Sequence, residues 1–153
     1  MTANSTVLKA TIAALGLLLL SGQQDMPLRP PGRFSATTTG LLKGTITGDI
    51  SVSTFRDGHR EIYLQMDSSQ MMATNIMISL QVTLPVVRTA PVFRLQVENL
   101  KTHQLSYPAA TGTLALKGRD LLTGSFTVTS TDKTLPLTLT GTLDNAPVVP
   151  AVE

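Results

Sequence analysis

Leu122-Thr123-Gly124-Ser125-Phe126-Thr127-Val128-Thr129 is the stretch that decides the fold. Leu122, Gly124, Phe126 and Val128 fall on one side of an extended backbone, and Thr123, Ser125, Thr127 and Thr129 on the other. Successive strand side chains point to opposite faces, so a period of two marks a strand with one buried face. The same split runs through the next segment, where Leu135, Leu137, Leu139 and Leu143 oppose Thr138, Thr140 and Thr142.

Working back from there, Leu114 and Leu116 keep the alternation, as do Phe93, Leu95 and Val97 against Arg94, Gln96 and Glu98. Ile76, Ile78, Leu80 and Val82 oppose Asn75, Met77, Ser79 and Gln81; Ile62, Leu64 and Met66 oppose Glu61, Tyr63, Gln65 and Asp67. Ile46, Ile50 and Val52 form another such face, and Phe34–Thr38 a weaker one. Asp57-Gly58 supplies the positive φ angles of a tight hairpin, and 117–120 and 131–133 read as further loops. The expectation is an all-β domain, an antiparallel barrel or sandwich of about eight short strands. No segment reads as an amphipathic helix of useful length.

Four glycines, Gly44, Gly112, Gly124 and Gly141, each stand two residues before an apolar residue and so on the same face. Inward glycines permit sharp coiling and favour barrel-like closure, although a glycine that merely starts a strand after a turn fits the same spacing. A membrane-spanning barrel would need aromatic girdles at both interfaces. The chain has 2 Tyr, 4 Phe and no Trp, so the soluble form is expected.

Upstream, Lys9 precedes the apolar block Ala10–Leu20, which ends in Ser21-Gly22. A positive charge, a short apolar block and a small-residue exit are the parts of a secretory signal, and the block is shorter than the ~20 residues a spanning helix needs. Residues 1–22 are therefore expected to be a signal peptide. Residues 23–33, with Pro27, Pro30 and Pro31, read as a Pro-rich linker. The folded domain is expected over 34–144, and 145–153, with Pro147 and Pro150, as a flexible tail.

The exit Leu20-Ser21-Gly22 resembles the signal of bacterial lipoproteins, with Gln23 where the acylated cysteine would stand. Without a thiol that lipidation cannot occur. The run from Tyr107 to Leu143 resembles the C-terminal strands of small β-domains in bacterial secreted proteins and lipoproteins. That resemblance implies a periplasmic or cell-envelope location and supplies no catalytic residues.

The chain of 153 residues suffices for one core. A net charge of +2 with no basic run and few aromatics lacks the clustered patch that nucleic-acid binding uses. With 0 Cys, disulfides, thiolate metal sites and cysteine nucleophiles are all excluded. No phosphate-binding loop, Gly-x-Ser-x-Gly elbow or His-Glu-x-x-His pair is present. No catalytic residue and no cofactor is assigned.

His59 and Glu61, at i and i+2, would share one strand face, but two ligands without a third are not a metal site. Met66, Met71, Met72 and Met77 surround a Ser-Ser-Gln turn and offer soft sulfur for Cu(I). Met also fills irregular gaps in cores, which is the expected role here. The functional expectation is a non-enzymatic binding or assembly domain of the bacterial envelope, its partner an envelope protein. The alternatives are a lipocalin-like carrier of a small apolar ligand and an enzyme with an unrecognised site. Membrane association is expected only through an uncleaved N-terminus.

Overall fold

The computed structural model describes residues 30–87 and 90–150. The expected signal peptide, and the linker as far as Arg29, lie outside the described residues. The chain forms β1 (Gly32–Gly40), β2 (Gly44–Thr54), β3 (Arg60–Met66), α1 (Ser68–Thr74), β4 (Ile76–Leu84), β5 (Val92–Asn99), β6 (Gln104–Ser106), β7 (Ala110–Lys117), β8 (Leu121–Ser130) and β9 (Leu137–Val149). All nine strands belong to one sheet in the order β6-β5-β4-β3-β2-β1-β9-β8-β7, antiparallel throughout its ladder.

The alternation does what the sequence requires of it. Phe34 and Ala36 of β1, Ile46, Ile50 and Val52 of β2, Ile62, Leu64 and Met66 of β3, and Leu122, Phe126 and Val128 of β8 are all buried in a single cluster. Phe34 meets Phe126 edge-on at 6.5 Å across β9, which lies between their strands. A flat sheet could not gather one buried core from seven of its strands, so the sheet curls around its apolar face. Each fully buried Leu, Ile, Val or Phe contributes about 1.5–3 kcal/mol.

Two expectations about architecture are corrected. The structure is neither a sandwich nor a closed barrel: one sheet curls without closing its ladder. Its two end strands, β6 and β7, are consecutive in the chain and joined by Tyr107-Pro108-Ala109. Arg94 and Ala109 make an isolated bridge there, leaving most of the outer edge of β7 unladdered. Of the four glycines, Gly112, Gly124 and Gly141 face the core side, where a side chain would meet neighbouring backbone. Gly44 instead opens β2 at φ 128° with open space around it, so it is a turn residue.

The coiling depends on a glycine that the spacing did not single out. Gly48 pairs with Phe34, and a Cβ there would run into the Phe34 ring and the Gln65 carbonyl. The missing side chain is the space that ring occupies.

The helix is the second surprise. β3 ends at Met66, which leaves the first residues of β2 without a neighbour on that side. Asp67 N donates to Thr47 O at 2.9 Å, and then the Gln70 carboxamide takes over the ladder. Gln70 Oε1 accepts from Thr47 N at 2.8 Å while its Nε2 donates to Thr45 O at 3.4 Å. A side-chain amide has the same donor and acceptor as a peptide group, so α1 seals the strand that β3 leaves bare.

The ends also differ from expectation. β1 begins at Gly32, so Gly32 and Arg33, expected in the linker, belong to the sheet. β9 runs on to Val149, so 145–149, expected as tail, are sheet as well. The end of β9 passes beyond β1 to pair in parallel with β2, at Val52 with Val148 and Ser53 with Val149.

Candidate functional site

The curled sheet has two ends. At one, the β1–β2 turn, the start of β4, the β5–β6 turn and the β8–β9 loop surround a cleft of about 430 Å³. Leu41, Ile76, Val97 and Leu135 give it an apolar floor, Tyr107 and Pro108 stand at its side, and Glu98 and Asp132 add two carboxyl groups. Tyr107 is largely exposed. We call this the distal cleft, because β1 begins and β9 ends at the opposite end of the sheet.

Local hydrogen bonds set its walls. Asn99 Oδ1 accepts from the backbone N–H groups of Lys101 at 3.0 Å and Thr102 at 3.2 Å, folding the β5–β6 turn in which His103 takes φ 53°. His103 Nδ1 lies 4.0 Å from Glu98 Oε1. In the β8–β9 loop, Asp132 Oδ1 accepts from Thr134 N at 2.8 Å and Thr134 Oγ1 at 2.7 Å, while Asp132 N donates to Ser130 Oγ at 3.1 Å. The Thr134 donors hold the Asp132 carboxyl below its ordinary range, so it is an anion at neutral pH.

At the opposite end a hollow of about 610 Å³ is lined by Phe55, His59, Val149 and their neighbours. The Phe55 and His59 rings stack at 4.3 Å, nearly parallel. Asp57 Oδ1 lies 2.5 Å from His59 Nδ1 and 3.2 Å from His59 N, and these hydrogen bonds lower the Asp57 pKa. Glu61 Oε1 is 3.9 Å from the other ring nitrogen. His59 and Glu61 do approach each other, as expected from i, i+2, but the two carboxylates sit at opposite sides of one imidazole and cannot share an ion with it.

The methionines do not converge in role. Met66 is buried in the core, Met71 packs against the core from α1, Met72 is 72% exposed, and Met77 lies part-buried on β4. Among the described residues no group of three or more His, Cys, Asp or Glu could hold a metal ion.

A third group was not visible as a motif. Arg33 forks onto Asp67 through Nη1–Oδ1 at 2.9 Å and Nη2–Oδ2 at 2.6 Å, and Nη1 also reaches Asp49 Oδ1 at 2.6 Å. Thr47 Oγ1 donates to the same Asp67 oxygen at 2.6 Å. The arrangement ties the first turn of β1 to β2 and α1, a positioning role. Arg33 first and Thr47 second hold Asp67 below the usual carboxylate range. A depressed folded-state pKa gives stability that is complete above the unfolded value and lost as pH falls through the folded one. Asp67→Asn is therefore expected to lower the urea midpoint at pH 7 and to flatten its decline as pH falls below the ordinary aspartate value. An unchanged acid slope in that variant would show that the fork contributes no stability.

Comparisons with protein-family models, with curated proteins and with solved structures found no match.

Proposed function

We propose that the chain is an exported protein of the bacterial periplasm or envelope, and that its folded part is a non-enzymatic binding or assembly domain using the distal cleft. The observation that carries this reading is the placement of that cleft at the end of the sheet away from Pro30 and Val149. A domain held by its N-terminal segment would turn the cleft outward. Its apolar floor with ionised Asp132 and nearby Glu98 suits a partner segment that presents an apolar side chain flanked by a cation.

The carrier reading is less well supported. The core void lined by Phe34, Ile46, Leu64, Phe126 and Leu139 measures about 10 Å³, scarcely one water. A lipocalin-like cargo would have to displace packed side chains. As for an enzyme, the lowered carboxyl groups Asp57, Asp67 and Asp132 sit in three separate places, each explained by its own local donors.

The test has two parts. Residues 1–33 fused to a reporter active only outside the cytoplasm should give signal. A photoreactive phenylalanine analogue at Tyr107 should then give a cross-linked partner in intact cells, and the same analogue at Tyr63, on the outer face of β3, should not. A silent but intact fusion removes the export reading. Failure to cross-link at Tyr107, or equal products at both positions, removes the distal cleft as the binding site.

A further inference from the structure

Six of the eleven large hydrophobic residues exposed among the described residues lie at the end opposite the distal cleft: Phe55, Val86, Val87, Val92, Leu121 and Val149. They come from the β2–β3 turn, the β4–β5 loop, the starts of β5 and β8 and the end of β9. Val86 is 61% and Val87 75% exposed, far more than a core would leave.

These residues form one connected rim. A Cβ on Gly58 would lie 3.5 Å from Val86 Cγ2, so the β2–β3 turn rests against the β4–β5 loop. Phe55 and Val149 line the same hollow. Val148 N donates to Asp120 O at 2.9 Å, joining the end of β9 to the β7–β8 turn. Leu121 then shares a second hollow, of about 450 Å³, with Pro30 and Pro31. Exposed apolar residues gathered at one end of a fold mark an interaction surface.

We propose that this rim seats the domain on a phospholipid surface. Two observations select lipid over a protein partner. Nine residues, 21–29, separate Pro30 in the rim from the apolar block Ala10–Leu20. Fully extended they span about 30 Å. With the N-terminus uncleaved, any bilayer that the block meets is thus within reach of the rim, and the chain enters the sheet at that same end. By sequence the turns around the rim carry Arg56, Arg88, Lys117 and Arg119 against Asp57 and Asp120, a modest basic excess. Contact then rests on apolar insertion with modest help from anionic headgroups, as at the boundary of headgroups and acyl chains. The inference goes beyond the distal-cleft reading and rests on the envelope reading only for which membrane is met.

The absence of cysteine makes the test direct. The full chain carries an environment-sensitive dye at Val87→Cys, or at Lys101→Cys in the β5–β6 turn of the distal end. Vesicles of phosphatidylcholine, with and without phosphatidylglycerol, are added. The dye at 87 should shift to the blue and be quenched by lipid-borne quenchers in both compositions, more strongly with phosphatidylglycerol; the dye at 101 should not respond. Val86→Asp with Leu121→Asp should weaken vesicle binding at least tenfold while leaving the melting curve near that of the parent. No response at 87, equal responses at 87 and 101, or undiminished binding by the double variant each overturns the proposal. So does a concentration-dependent dimer that buries position 87 without lipid, which would make the rim an interface between copies.

Discussion

Gly124→Val should destabilise the domain by about 3 kcal/mol, at the upper end of the range for overpacked cores, while Ser125→Val stays within about 0.5 kcal/mol of the parent. The two positions are neighbours on β8 and differ in face. Gly124 lies on the core side with Leu122 and Phe126, and a Cβ there would land on the Ala115 carbonyl oxygen, with the Leu116 Cα 3.1 Å away. The obstacle is backbone of β7, which cannot rotate aside as a side chain could. Ser125 is exposed, and a β-branched residue suits its strand. Urea unfolding of both variants decides the matter, and equal midpoints would mean that β8 does not coil against β7 as described.

Phe126→Ala should cost about 3–5 kcal/mol, the usual range for removing a buried aromatic ring. The ring packs edge-on against Phe34 and lines the small void at the centre of the core, so its loss enlarges a space that already exists. Its β9 partner is Gly141, whose missing side chain leaves no group to fill the gap. The expected result is a lower urea midpoint with an unchanged slope, which is the signature of lost stability without a change in the exposed surface. A loss below about 1 kcal/mol would show that the core collapses around the missing ring, and would restore weight to an interior able to hold cargo.

The strands were legible where alternation was unbroken. Most inward residues of β1 to β5, β8 and the first part of β9 are those that period two picks out, because nothing but burial of one face decides them. The reading stopped at Asp144 for a definite physical reason. Leu143 is buried and so is Ala146, three residues on, with Asn145 at φ 50° between them. β9 carries one extra residue there opposite the step from Leu122 to Gly124, so its alternation changes phase. A strand that swaps faces looks like a tail.

α1 and β6 were illegible for a different reason. Seven and three residues are too few to display any period, and α1 is held by the Gln70 amide and not by an apolar stripe. The distal cleft draws on Leu41, Tyr107 and Asp132 from three connections and on Glu98 from the end of β5, which share no spacing. His59 with Glu61, by contrast, was visible as a pair; the Asp57 and Phe55 contacts that turn it into a hairpin lock were not.

The position of β1 between β2 and β9 sets a rule for how this chain matures. The first strand of the described residues is zipped along one side by the last of them, Arg33 to Asp144 and Gly40 to Leu137. A chain lacking its final segment has β1 and β8 both open-edged and the core missing Leu137, Leu139, Leu143 and Ala146. Pairings this distant in sequence close late, since the loop entropy must be met before the contacts form. Completion of this sheet therefore waits for β9, and a chain being threaded through a narrow pore amino end first would remain threadable until β9 had been delivered.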